Sequence, residues 1–174
     1  MTEEHIVGWI PALFLPGQIL NLLCLAAYGI VLLKISPENE RYRTAGICSI
    51  VSGGVGTLVE LLSGGSEASA WTLVFILPVA IVSLVGTYHE YTGHSEVLSD
   101  IDANLSEKWE KLWKWFLWSL LGMLGSVLVM LIAPILGLIV FLVAAVGTII
   151  VSILTLVYLY RTAKVFREYP QNVG

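Results

Sequence analysis

Residues 115–160 read WFLWSLLGMLGSVLVMLIAPILGLIVFLVAAVGTIIVSILTLVYLY and contain no Asp, Glu, Lys or Arg. As one helix this stretch would be roughly 70 Å long, more than twice the ~30 Å core of a bilayer. Pro134 stands near its middle, and proline interrupts a helix. The stretch therefore predicts two membrane-spanning helices, at about 115–133 and 136–160, between which the chain folds back.

Three more apolar blocks of spanning length precede this pair, at about 16–35, 44–63 and 71–88. The whole composition agrees, because 57% of the residues are hydrophobic and only 13% are charged, about half the share of a soluble domain. Such a composition excludes a soluble globular domain, a disordered tail and a basic nucleic-acid binder. The predicted fold is all-α, a polytopic membrane helix bundle of five transmembrane helices in a single domain, 1–174.

The basic residues predict the orientation of these spans. If the N-terminus lies outside, all nine fall in the segments at the inner ends of the spans, 34–43, 89–114 and 161–174: Lys34, Arg41, Arg43, Lys108, Lys111, Lys114, Arg161, Lys164 and Arg167. Lys and Arg accumulate on the cytoplasmic side of membrane proteins. We therefore expect the N-terminus outside and the C-terminus inside.

The segment before the fourth span, about 96–114, has the spacing of an amphipathic helix. Its apolar residues recur every three or four positions: Leu98, Ile101, Leu105, Trp109 and Leu112. One interpretation is a helix that lies in the inner membrane interface. The other is a docking surface for a cytoplasmic partner. The spacing alone is compatible with both interpretations.

The pair His89 and His94 nearly matches the zinc motif HExxH but has one residue too many. Histidines five apart on a helix are displaced by about 140°, so they cannot share a metal as an i, i+4 pair does. Gly93 also favours a loop here. We expect no metal site, no catalytic residue and no cofactor.

Span two carries two adjacent stripes of small residues. One is Ala45, Ser49, Gly53 and Thr57; the other is Cys48, Ser52, Gly56 and Glu60. Small residues let helix backbones approach closely in lipid, so the first stripe is predicted to be a helix-packing face. The alternative is that span two lines a cavity or moves against its neighbours.

Glu60 is the only acid inside a predicted span, and an intramembrane ionisable residue indicates a functional site. It lies about 25 Å along the helix from Arg43, and Gln18 and Asn21 reach a similar depth on span one. These three residues suggest an outward-facing acidic pocket for a ligand or cation. The alternative is that Glu60 reaches the outer headgroups while the two amides bond neighbouring helices.

Three segments carry a resemblance: ERYRTAGI at 40–47, the Trp- and Lys-rich 108–118, and LYRTAKVF at 159–166. In style and layout the chain resembles small multi-spanning bacterial inner-membrane proteins of unknown function. The resemblance implies a bacterial inner-membrane location and assigns no catalytic residue.

These observations predict an integral membrane protein without enzymatic activity, an accessory or interaction subunit. Its expected partners are the lipid bilayer and another membrane or cytoplasmic protein, with no nucleic acid. The alternative is a small transporter or substrate-binding membrane component that uses the acidic pocket around Glu60.

Overall fold

The computed structural model describes the backbone of residues 3–63 and 70–168 and the side chains of residues 16–62 and 74–168. These ranges contain five α-helices and no strand: α1 (Glu3–Ile35), α2 (Glu40–Ser63), α3 (Ala70–Leu98), α4 (Ala103–Ile132) and α5 (Pro134–Glu168). Each of the five is long and apolar enough to cross a membrane. The predicted all-α architecture with five spanning helices is confirmed.

The surface of the helices is apolar. Leu131, Ile132 and Ile135 are among many large aliphatic side chains that are exposed. A soluble protein rarely exposes large contiguous apolar patches, because burying apolar area from water is the main favourable term in folding. In lipid the same surface carries no such penalty. The chain is therefore a multi-pass membrane protein.

The break between α4 and α5 falls at Ala133, directly before Pro134. Proline is favoured at the first helical position, where its missing N–H has no intrahelical partner to lose. The two helices then meet at Gly137, because a Cβ on this residue would lie 2.5 Å from the backbone nitrogen of Met130. Only glycine permits so close a start to the hairpin.

The structure corrects the prediction for the segment before the fourth span. Residues 96–114 do not form a separate interfacial helix: they end α3 at Leu98 and begin α4 at Ala103. Gly93 lies inside α3 rather than in a loop, and it is buried. Helix propensity is a weak preference that packing overrides, and the buried residues around Gly93 supply that packing.

The contacts divide the chain into two compact units between Glu90 and Tyr91. In the first unit, α1 and α2 approach closely: a Cβ on Gly29 would lie 2.9 Å from the carbonyl oxygen of Gly46. The phenol of Tyr28 donates a hydrogen bond to the carboxylate of Glu90 on α3. The same end of the unit holds the Arg41 guanidinium 5.9 Å from the centre of the Tyr88 ring.

In the second unit, α4 and α5 pack through small residues. A Cβ on Gly122 would lie 3.2 Å from the Cβ of Ala144, and one on Gly147 would lie 2.8 Å from Ser119 Oγ. At the opposite end of this helix pair from Ala133, the contact is made by a cluster of large buried side chains. Residues at the end of α3 also belong to this cluster.

Candidate functional site

The two stripes of α2 face different neighbours. On the predicted helix-packing face, Ser49 Oγ donates to the carbonyl oxygen of Leu25 on α1 at 3.3 Å. A Cβ added to Gly53 would lie 3.0 Å from Leu25 Cβ, while Ala45 and Thr57 are buried. The structure therefore places this stripe inside the first unit, with its middle against α1.

The second stripe faces α3. A Cβ on Gly86 of α3 would lie 2.8 Å from Cys48 Cβ, so the two helices are in tight contact there. Two turns further along α2, a Cβ on Gly56 would lie 3.8 Å from Val79 Cγ1, an ordinary contact. The contact loosens in this direction and leaves room for a groove.

This groove has a volume of about 400 Å³ and ends at Glu60. Its walls come from two helices and one residue of a third: Ser52, Gly53, Gly56, Val59 and Glu60 of α2, Ile76, Val79, Ala80 and Ser83 of α3, and Leu25 of α1. We call it the Glu60 groove. Its lining is apolar or small apart from one carboxylate and two hydroxyls, and the Ser52 hydroxyl is bonded to the Ser49 carbonyl oxygen.

The carboxylate of Glu60 is exposed, and no described residue forms an ion pair or hydrogen bond with it. The basic residues of this unit, Lys34, Arg41 and Arg43, lie at the opposite ends of α1 and α2. Arg43 is 17 positions before Glu60, roughly 25 Å along the helix. The groove thus offers a negative charge that Lys34, Arg41 and Arg43 do not reach.

Gln18 and Asn21 do not line this groove. Asn21 is exposed; Gln18 is half-buried, and its Oε1 has no hydrogen-bond partner among the described residues. Both lie on α1, whereas Glu60 continues the stripe of α2 that faces α3. Of the predicted three-residue pocket, only Glu60 reaches the cavity.

The stripe predicted as a membrane-surface or partner face lies in a protein core instead. Leu98, Leu105, Trp109 and Leu112 are at most 3% exposed, and Ile101 is half-buried. The four buried residues pack together with Tyr91 and Val151. The extension of α3 to Leu98 explains this correction, because it supplies a second apolar helix face against which the stripe is buried.

Two hydrogen bonds link polar side chains of this core across its helices. Tyr91 Oη and Thr155 Oγ1 are 2.8 Å apart, and Trp109 Nε1 donates to Thr162 Oγ1 at 3.2 Å. The His94 ring stacks on Trp109 with 4.5 Å between centroids. Sequence reasoning missed these partners, although Val151, Thr155, Tyr158 and Thr162 recur on α5 at helical spacing.

The described residues include no group of three or more His, Cys, Asp or Glu side chains placed to hold a metal ion. His89 and His94, whose spacing nearly matches a zinc motif, both lie on α3. The core of the second unit is a buried packing cluster. The Glu60 groove is therefore the candidate site of the first unit.

Fold and site together define the class as a multi-pass, all-helical membrane protein with a membrane-level acidic groove. Beyond this class, no family model, curated protein or solved structure matches the chain.

Proposed function

We propose that this chain is a non-enzymatic accessory or interaction subunit of the bacterial inner membrane. Its Glu60 groove receives a transmembrane helix of another protein, and that helix brings a basic side chain to Glu60. The observation that carries the proposal is the exposed carboxylate at the end of a groove floored by Ser52 and Gly56.

Two physical arguments favour a helix as the occupant. An ionised side chain at membrane depth is costly unless it pairs, so an exposed carboxylate favours a cationic partner. Small residues on the floor let a neighbouring backbone approach closely, which is how helices associate in lipid. An apolar helix with a Lys or Arg near one end satisfies both conditions.

A second copy of this chain is a poor occupant. Parallel copies would bring Glu60 towards Glu60, and Lys34, Arg41 and Arg43 would remain at the far ends of their helices. Like charges close together repel. The complementary cation therefore comes from a different molecule.

Photo-crosslinking in intact membranes tests the partner helix. A benzophenone amino acid replaces Ala80, which lines the groove, or Ile81, which is exposed beside it and does not line it. We expect a protein adduct of defined mass at position 80 only, at least about fivefold weaker in a Glu60→Ala background because the charge pair is lost.

The identity of the adduct supplies the control. Mass spectrometry should find a protein with a spanning helix that carries Lys or Arg near one end. Equal adducts at positions 80 and 81, a partner without such a residue, or lipid adducts alone would contradict the proposal.

The second candidate function is a transporter or substrate-binding component that takes a small organic cation. The groove volume of about 400 Å³ favours it, because small-molecule sites occupy ~300–1,000 Å³. If an alkylammonium ion raises the melting temperature of the purified chain, and Glu60→Gln removes that rise, this second function replaces the first.

We also propose the orientation that the nine basic residues indicate, N-terminus outside and C-terminus inside. A fluorescent protein fused after the C-terminus should fluoresce in the cytoplasm, and alkaline phosphatase at the same position should be inactive. Fusions made after Ser63, the last residue of α2, should show the reverse result. Fluorescence at both positions, or the inverted pattern, would reject this orientation.

A further inference from the structure

A second groove lies in the other unit, between the start of α4 and the end of α5, and it has a volume of about 440 Å³. Its charged and polar lining comprises Asp102, Asn104, Lys108, Arg161, Lys164 and Glu168. Three cations from two helices thus face one cavity. We call it the basic groove.

The two acids of the basic groove are already occupied. Asp102 caps α4 and accepts the backbone N–H of Leu105 at 3.0 Å. Glu168 pairs with Lys164 at 3.7 Å. No described residue forms a hydrogen bond or ion pair with Lys108 or Arg161. These two cations remain available to an anion, and the start of α4 adds the positive end of its helix dipole.

The position along the helices suggests what the anion is. Lys108 lies roughly 36 Å along α4 from Ile132, and Arg161 lies roughly 40 Å along α5 from Pro134. A bilayer core is ~30 Å thick and the headgroup layers extend it to about 40–45 Å, so these cations lie at headgroup level. Trp115 and Tyr160 are exposed nearby, as in the aromatic belt of a membrane interface.

We propose that the basic groove binds the phosphate of an anionic phospholipid headgroup. The planar guanidinium of Arg161 donates to two phosphate oxygens, and Lys108 contributes a point charge. The acyl chains of the lipid lie along the exposed apolar faces of α4 and α5. Basic pockets between helices on the cytoplasmic side recognise anionic headgroups in this way. The site is independent of the Glu60 groove.

Native mass spectrometry of the full chain in mild detergent tests this site. The probes are phosphatidylglycerol, phosphatidylcholine and inorganic phosphate at matched concentrations. We expect phosphatidylglycerol to bind at least about fivefold more tightly than phosphatidylcholine, because each basic side chain near an anionic surface strengthens binding by about fivefold. Added salt should weaken the binding by screening.

The variant Lys108→Gln/Arg161→Gln removes the two available cations and should weaken phosphatidylglycerol binding at least about fivefold. The matched control, Lys111→Gln/Lys114→Gln, removes the same charge from exposed positions of α4 outside the groove. It should bind as the unaltered chain does. Melting temperatures without lipid should agree among all three proteins, which separates lost binding from lost folding.

Three results would overturn the proposal. Equal binding of the two lipids would remove the role of the anionic headgroup. Inorganic phosphate that competes fully at the lipid's own concentration would make the ligand a free phosphate. A control variant that loses as much binding as Lys108→Gln/Arg161→Gln would show that general surface charge, and not the basic groove, binds the lipid.

Discussion

Trp109→Ala should lower the free energy of unfolding by about 3–5 kcal/mol, the usual range for truncating a buried tryptophan. Trp109 is 0% exposed, stacks on His94 and donates to Thr162, so its removal leaves a cavity and an unsatisfied hydroxyl. The measurement is equilibrium unfolding of the purified chain in mixed micelles, followed by the fluorescence of the remaining tryptophans.

Trp118→Ala is the matched control, because Trp118 lies on the same helix and is 73% exposed. Its effect should stay within about 0.5 kcal/mol, as for most surface substitutions. Trp109→Phe separates the two contributions of Trp109, since it keeps most of the ring and loses the N–H. Comparable losses in Trp109→Ala and Trp118→Ala would show that Trp109 is not a core residue.

Gly137→Leu should destabilise the second unit by about 3 kcal/mol or more and reduce the yield of folded protein. A Cβ at this position would lie 2.5 Å from the backbone nitrogen and Cα of Met130. Overpacking of a flexible contact costs about 1–3 kcal/mol, and a rigid backbone cannot give way as a side chain does. Size-exclusion chromatography with a heating series measures both the yield and the melting temperature.

Gly125→Ala is the control for this prediction. A Cβ on Gly125 meets nothing within 4 Å, and the residue lies inside α4. Alanine is a better helix former than glycine by about 0.5–1 kcal/mol, so this variant should be neutral or more stable. If Gly137→Leu melts at the same temperature as Gly125→Ala, the close start of the α4–α5 hairpin is wrong.

Much of the fold could be predicted from the sequence because its causes are local. The length of an uncharged apolar stretch decides how many times it crosses a bilayer, and a stretch too long for one crossing breaks most readily at a proline. The end of α4 at Ile132 and the start of α5 at Pro134 follow from these two rules alone. No tertiary contact is needed for either.

The environment of the apolar stripe in segment 96–114 could not be predicted in this way. A stripe such as Leu98, Leu105 and Trp109 has the same spacing whether it faces a membrane interface, a partner or its own chain. All three environments are apolar, so periodicity cannot distinguish them. The extension of α3 through Gly93 to Leu98 decided between them, and it depends on packing that glycine's low helix propensity does not predict.

The candidate site was likewise predictable only in part from the sequence. Glu60 stands out in the sequence because an acid in an apolar span is rare and costly. Gln18 and Asn21 match Glu60 in depth along the helices, but depth does not determine the direction in which a side chain points. The structure instead places Ile76, Val79 and Ala80 of α3 in the groove that Glu60 lines.

The sequence by itself determined that five helices cross a membrane, where they break and which residues share a stripe. It also determined that a single carboxylate interrupts the spans. Only the tertiary structure decided which helix covers each stripe, because an apolar helix face can pack equally well against lipid or against another helix. The stripe of Ser49 and Gly53 packs on α1, whereas that of Gly56 and Glu60 lies open beside α3.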